Sequence, residues 1–269
     1  MACINIYLPL KQRWGQIGIN KKGERMKIIC CLENDRVEIE FLDGKGCIVE
    51  TGYSSFLEGA VKNYKRVEYG FHGYIDQGPY GTITRDNDGK KIFLTEYNTW
   101  VSMHRRAENF NGTHPSYEDV TIDKIWWSYQ NFAMWYNDNK YEVENDILRL
   151  DKDILVPGNR VYSPETCCLV PDKINQLFKQ PMKKDDNMPM GVYKEGNRYR
   201  TVKLYEIDNN GNVMKHCKSF KTPEDAHECY KFYKEKYIHD IADLYKDIIP
   251  TIVYDALKQY EFNKYIINN

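Results

Sequence analysis

The residues best suited to chemistry lie within 150–178, where carboxylate, amide and ammonium groups stand close to predicted turns. Asp151 ends a predicted strand, and Asn175 lies on a short predicted helix. The turn predicted at Pro157-Gly158-Asn159 would return the chain and could bring Asp151 and Asn175 together. Two oxygen ligands of this kind can hold Mg²⁺, which needs few protein ligands and would stabilise the charge that develops on a scissile phosphate.

This stretch, LDKDILVPGNRVYSPETCCLVPDKIN, resembles the HNH, or ββα-metal, nucleases, and in particular a group of bacteriophage HNH-endonuclease-like proteins. The resemblance covers residues 96–178, including the upstream run YNTWVSMHRRAENFNGTHPSYEDVTIDKIWWSYQNFAMWY. By that resemblance Asp151 is the acidic metal ligand, Asn159 is retained, and Asn175 matches the asparagine or histidine near the end of the motif. The implied activity is cleavage of DNA phosphodiesters with Mg²⁺ or Mn²⁺.

Four positions depart from that pattern. Lys152 stands where the water-activating histidine is expected, and lysine is a poor general base unless burial strongly lowers its pKa. In an active enzyme Lys152 would clamp a phosphate or act as an atypical base. Thr166 falls near the middle asparagine, and Ala107 and Asp123 stand where related proteins tend to carry cysteine. These departures favour a second hypothesis, a catalytically inactive DNA- or protein-binding module such as a phage inhibitor of a host defence nuclease of the CRISPR type.

A second resemblance covers residues 191–237, through Gly191-Val192, Arg198-Tyr199-Arg200 and the junction between Phe220 and Ala226. These elements resemble the Apetala-type domain of plant ethylene-response factors, which phage homing endonucleases also carry. The resemblance implies a three-stranded sheet in the DNA major groove with a helix packed behind it. The cations that would face DNA are Lys194, Arg198, Arg200, Lys203 and Lys215. The alternative is a solvated basic sheet edge.

The elements that position these groups predict an α+β protein of three parts. Residues 1–92 are expected to form a small barrel-like β module, because Val37, Ile39 and Phe41 alternate with polar residues before a turn at Leu42-Asp43-Gly44. Residues 93–182 are expected to form the HNH-like ββα-metal core. In this part a helix is predicted around Tyr97, Trp100, Val101 and His104, and residues 137–180 are irregular outside the motif.

Residues 183–269 are expected to form an Apetala-type domain with C-terminal helices. Three strands are predicted, around Met190–Tyr193, Arg198–Tyr205 and Val213–Phe220, with a hairpin turn at 209–212. Thr222 is predicted to cap the first helix, and a second helix follows Pro250.

The charge distribution agrees with a phosphate-binding surface beside a metal-holding pocket. The 269-residue chain has a net charge of −1, but 179–222 contains ten Lys and Arg against five acids, and 116–155 contains nine acids against four bases. Ordinary surface variation is the alternative. The eight cysteines include no C-x-x-C pair, which favours reduced thiols in a cytoplasm, here that of an infected bacterial host. No apolar run is long enough to predict a membrane span.

Overall fold

The structure is a computed structural model that describes residues 8–43, 47–64, 72–108, 119–178, 187–208 and 210–263. Its internal contacts divide the chain into two compact units. One comprises Met1–Glu118 and Lys124–Met134, and the other comprises Asp119–Asp123 and Trp135–Asn269. Both units mix helices with small sheets, which confirms the expected α+β class. The expected boundaries at 92/93 and 182/183 remain predictions from the sequence.

The first unit contains a four-stranded antiparallel sheet with the strands in chain order. Its strands are β1 (Ile17–Ile19), β2 (Arg25–Cys31), β3 (Arg36–Phe41) and β4 (Ile48–Gly52). Val37, Ile39 and Phe41 are buried on one face of β3, as their alternation with polar residues predicts. Among the described residues β1 does not pair with β4, so the sheet is open and the barrel-like prediction was wrong. Leu42 and Asp43 form a turn, while Gly44 lies outside the described residues.

The rest of this unit is helical with one short hairpin. Its elements are α1 (Tyr53–Leu57), β5 (Ile83–Arg85), β6 (Lys91–Phe93), α2 (Thr95–Ala107), a 3-10 helix at Lys124–Trp127 and the start of α3 (Tyr129–Asn139). Tyr97, Trp100 and His104 lie on the buried face of α2, as predicted, together with Met103, whereas Val101 is only half-buried.

The second unit begins with a compact ββα arrangement. Strand β7 (Thr121–Ile122) runs parallel to β9 (Val161–Tyr162), and β8 (Leu148–Asp151) runs antiparallel to β10 (Cys168–Pro171). Helix α4 (Asp172–Leu177) follows β10 directly and contacts both β8 and β10. The strand that ends at Asp151 and the short helix after Pro171 were predicted from the sequence and are confirmed, whereas β9 and β10 were not predicted. Every residue of β10 is buried, so this strand lacks the alternation that marks a half-buried strand in sequence.

The described residues of the C-terminal part, 187–208 and 210–263, form five strands and two helices. They are β11 (Val192–Glu195), β12 (Arg198–Thr201), β13 (Leu204–Ile207), β14 (Val213–His216), β15 (Ser219–Phe220), α5 (Pro223–Leu244) and α6 (Thr251–Lys258). Strands β11, β12 and β15 form one sheet, and β13 and β14 form a separate hairpin. Two of the three predicted strands are each divided, the second between Thr201 and Leu204 and the third between His216 and Ser219.

The predicted helix starts are confirmed. The Thr222 hydroxyl accepts a hydrogen bond from the Asp225 amide at 3.2 Å, and Pro223 occupies the first turn of α5. Helix α6 follows Pro250. Within the described part of the chain, no helix is long and apolar enough to span a membrane.

Candidate functional site

Asp151 ends β8 and anchors the loop that follows it. Its Oδ1 accepts hydrogen bonds from the amides of Asp153 and Ile154, each at 2.8 Å, and the residue is only 9% exposed. Burial, followed by the neighbouring Asp153 charge, raises the pKa of Asp151 to about 6, although the two amides and Lys152 oppose this rise. The carboxylate therefore acts first as an acceptor for the turn.

Lys152 points into this loop and is only 6% exposed. Its Nζ donates to Asp153 Oδ1 at 2.6 Å and to the carbonyl of Asn159 at 2.8 Å. Burial raises the pKa of Asp153, and the hydrogen bond from Lys152 is the largest opposing effect. Lys152 thereby joins the Asp153 carboxylate to the backbone at Asn159.

Asn159 closes the loop from the other side. Its Nδ2 donates to the carbonyls of Lys152 and Val161 at 2.8 and 2.7 Å, and its Oδ1 accepts from the Val161 amide at 3.0 Å. We call residues 151–159 the 151–159 loop. Its hydrogen bonds connect three residues predicted from the sequence, Asp151, Lys152 and Asn159. Sequence reasoning missed Asp153, whose only signal was its position beside Lys152.

Asn175 lies apart from this network. It is half-buried on α4, which contacts β8, and no hydrogen bond among the described residues joins it to Asp151. Among the described residues, no group of three or more His, Cys, Asp or Glu side chains is placed to hold a metal ion. Mg²⁺ needs fewer protein ligands than three, so the pair formed by Asp151 and Asn175 remains a prediction.

Three neutral side chains also lie around the loop. Thr166, which falls near the middle asparagine of the HNH pattern, donates to the Val161 carbonyl at 3.0 Å and lies 3.0 Å from the Ser163 hydroxyl. Cys168 pairs with Asp151 across the ladder, and burial raises the pKa of its thiol. Burial likewise raises the pKa of Cys167 to about 12, so both groups are neutral thiols at physiological pH.

Arg198 and Arg200 lie on one face of β12, opposite the face that carries buried Thr201. Arg198 Nε donates to Ser219 Oγ at 2.7 Å, and Arg200 Nη1 donates to Glu195 Oε2 at 2.8 Å. We call the surface formed by Glu195, Arg198, Arg200 and Ser219 the arginine face. Lys194 was also predicted to bind DNA, and it is exposed. It pairs with Tyr199 in the ladder, so it lies on the opposite face of the sheet from Arg198 and Arg200.

Lys203 and Lys215 belong to a different surface. Both line a cavity that is also lined by side chains of α4 and α5. The five predicted DNA-binding cations therefore do not share one surface. Two lie on the arginine face, two line this cavity, and Lys194 is on neither.

No protein-family model matches the chain, and neither a curated protein nor a solved structure matches it.

Proposed function

We propose that this protein binds duplex DNA through the arginine face. The observation that carries the proposal is the placement of Arg198 and Arg200 on one side of an antiparallel sheet, two positions apart on β12. A β-ribbon fits the DNA major groove, where arginine can donate two hydrogen bonds to guanine. Ser219 and Glu195 hold the two guanidinium groups in place, which reduces the side-chain entropy lost on binding.

The charge around this face supports the same proposal. Residues 191–222 contain seven Lys and Arg against three Asp and Glu, in a chain whose net charge is −1. Contacts between cations and phosphates supply most of the sequence-independent affinity for DNA, and that affinity falls as salt rises.

For the ββα part of the chain we propose a scaffolding role. Lys152 donates to Asp153 and to the Asn159 carbonyl, so the residue at the position of the expected general base is already committed as a cation. Asp151 and Asn159 accept or donate hydrogen bonds that fix the same loop. This favours DNA binding without cleavage.

Metal-dependent cleavage of DNA phosphodiesters is the second candidate, and one feature of Asp151 favours it. Its Oδ2 accepts no hydrogen bond from the described residues, while Oδ1 accepts two. That oxygen, together with the side-chain oxygen of Asn175, would hold Mg²⁺ or Mn²⁺, which would supply Lewis-acid stabilisation of the phosphate.

DNA binding is tested by fluorescence anisotropy with a labelled duplex over a series of salt concentrations. We expect Arg198→Ala with Arg200→Ala to weaken binding at least about tenfold and to reduce the salt slope by about two. The matched control is Arg25→Ala with Arg85→Ala, two exposed arginines of the first unit, which should bind like the unaltered protein. Equal affinities for the two double variants would refute the arginine face.

The scaffolding role is tested separately with supercoiled plasmid and Mg²⁺ or Mn²⁺. We expect no nicking by the unaltered protein over a range of pH, with DNA binding retained. Nicking that disappears in Asp151→Asn would instead establish the second candidate. Measuring binding on the same samples separates a failure to cleave from a failure to bind.

A further inference from the structure

A cavity of about 650 Å³ lies between α4, α5 and the β13–β14 hairpin. This volume lies within the range of pockets that bind small molecules. Four lysines from four chain segments line it, Lys173 on α4, Lys203 before β13, Lys215 on β14 and Lys234 on α5. None of the described residues that line the cavity is an aspartate or a glutamate.

The four ammonium groups have no carboxylate partners among the described residues, although paired lysines are common nearby. Lys236 pairs with Asp240 on α5, and Lys258 pairs with Asp243 across α5 and α6, each at 2.9 Å. Lys234, by contrast, donates to the carbonyl of Leu177. Four like charges around one cavity repel one another, so an anion that entered it would relieve both this repulsion and the desolvation of Lys234.

Aromatic rings form another part of the wall. The rings of Tyr205 on β13 and Tyr237 on α5 stack with centroids 5.3 Å apart and an interplanar angle of 23°. The ammonium of Lys215 lies 5.7 Å from the centroid of the Tyr205 ring. The flat tyrosine rings suit an aromatic ring of a ligand, and the lysines, which have no carboxylate partners among the described residues, suit an anionic group. The lining therefore fits a ligand that has both.

We propose that this cavity binds a nucleotide, with the base against the tyrosines and the phosphate among the four lysines. The cavity shares no residue with the arginine face, so this proposal goes beyond duplex binding and does not depend on it. A free mononucleotide and a nucleotide within a single strand present the same chemistry, and they are distinguished by experiment.

The test is isothermal titration calorimetry of the full chain with dAMP, with a short oligothymidylate and with inorganic phosphate. We expect Lys203→Ala with Lys215→Ala to weaken nucleotide binding at least about tenfold, since each removes a charge-assisted contact. The matched control, Lys21→Ala with Lys90→Ala, removes two exposed lysines outside the cavity and should leave binding unchanged. Circular dichroism confirms that both double variants are folded.

Tyr237→Leu tests the aromatic part of the site, because it should weaken dAMP binding but not phosphate binding. If dAMP and the oligomer bind with similar affinity per nucleotide, the ligand is a free nucleotide, and if only the oligomer binds, the ligand is a strand. The proposal is overturned if neither binds more tightly than inorganic phosphate, or if the cavity variant and its control behave alike. If the variant Arg198→Ala with Arg200→Ala loses duplex binding but still binds the nucleotide, only the duplex proposal fails. If the unaltered protein binds duplex DNA but not the nucleotide, only the nucleotide proposal fails.

Discussion

Lys152 and Asn159 hold each other reciprocally, since the Lys152 ammonium donates to the Asn159 carbonyl and the Asn159 amide donates to the Lys152 carbonyl, both at 2.8 Å. The two ends of the 151–159 loop are thereby joined. This makes the loop a closed unit built on the end of β8. Three of the residues predicted from the sequence to be catalytic, Asp151, Lys152 and Asn159, therefore help to hold the loop together.

The first prediction concerns Asn159. Replacing Asn159 with Ala removes three hydrogen bonds, among them those to the Lys152 carbonyl and from the Val161 amide, so we expect a loss of about 2–3 kcal/mol in unfolding free energy. Asn159→Asp keeps the acceptor for the Val161 amide but sets a carboxylate oxygen against the carbonyls of Lys152 and Val161, so its loss should be at least as large. Urea unfolding of the three proteins provides the measurement, and an Ala variant as stable as the unaltered protein would contradict the role.

A second prediction addresses the ion pair between Lys152 and Asp153. Lys152→Met leaves Asp153 without its counter-ion in a poorly solvated loop, and we expect a loss of about 3 kcal/mol. Asp153→Asn leaves the buried Lys152 without a carboxylate and should cost a similar amount. The double variant should lose less than the sum, with a coupling of at least about 1 kcal/mol. Additive losses in a double-mutant cycle would show that the two side chains do not act as a pair.

Asp151 gives a third prediction, in the pH dependence of stability. Its folded-state pKa of about 6 lies above the ordinary value of about 4, so the protonated form is favoured by folding. Its contribution to stability is complete below about pH 4 and is lost as the pH rises through about 6. The charged groups that influence the pKa of Asp151 are Asp153, which raises it, and Lys152, which lowers it.

Asp151→Asn removes this titration but retains an oxygen for the two loop amides. The unfolding free energy of the variant minus that of the unaltered protein should therefore rise by up to about 3 kcal/mol from pH 4 to pH 7, because the folded-state and ordinary pKa values differ by about two units. Thermal or urea unfolding at both pH values measures the difference. A difference that is the same at pH 4 and pH 7 would rule out a raised pKa for Asp151.

Much of the fold followed from local patterns in the sequence. The alternation through Val37, Ile39 and Phe41 located β3, and the Thr222-Pro223 cap located the start of α5. Strand β10 could not be located in the same way, because it is buried on both faces and has no alternation. Local patterns identify an element where one face meets water, and they fail where both faces are covered.

The candidate site was predicted in part. Asp151, Lys152 and Asn159 were singled out from the sequence, but their contacts depend on how the loop returns, and this is not a local property of the sequence. The pairing of Lys152 with adjacent Asp153 is an example, since neighbouring side chains ordinarily point apart. The cavity was missed because its lysines come from four separate segments, and only the folded chain brings them together.

Gly191 provides a fourth prediction. It adopts a φ of +78°, and a Cβ placed there would lie 2.3 Å from the ring of Tyr230, which packs in the core behind it. Gly191→Ala should therefore cost about 2–4 kcal/mol from backbone strain and overpacking. Gly196 has a φ of +59°, and a Cβ added to it would meet no described atom within 4 Å, so Gly196→Ala should cost only about 1 kcal/mol. Equal losses in urea unfolding would contradict the close approach of Gly191 to Tyr230.

Lys234 gives the last prediction, because burial lowers its pKa to about 8, below the ordinary value of about 10.4. A lowered lysine pKa means that the charged form is disfavoured in the folded state, so stability is complete above about pH 10 and is lost as the pH falls through about 8. The groups facing Lys234 across the cavity are three further lysines, at 173, 203 and 215, and tyrosines that include Tyr230 and Tyr237, and none of them is a carboxylate.

Lys234→Met removes this titration, although it also removes the donor to the Leu177 carbonyl at both pH values. The stability of the variant relative to the unaltered protein should therefore be higher at pH 7 than at pH 10, by up to about 3 kcal/mol. Urea unfolding at the two pH values measures this difference. A nucleotide phosphate in the cavity would raise the pKa of Lys234, so binding at pH 8 should take up a proton, which calorimetry in two buffers of different ionisation enthalpy detects. If the difference in unfolding free energy between Lys234→Met and the unaltered protein does not change with pH, Lys234 is solvated in the folded protein. If nucleotide binding releases a proton, the phosphate lies elsewhere.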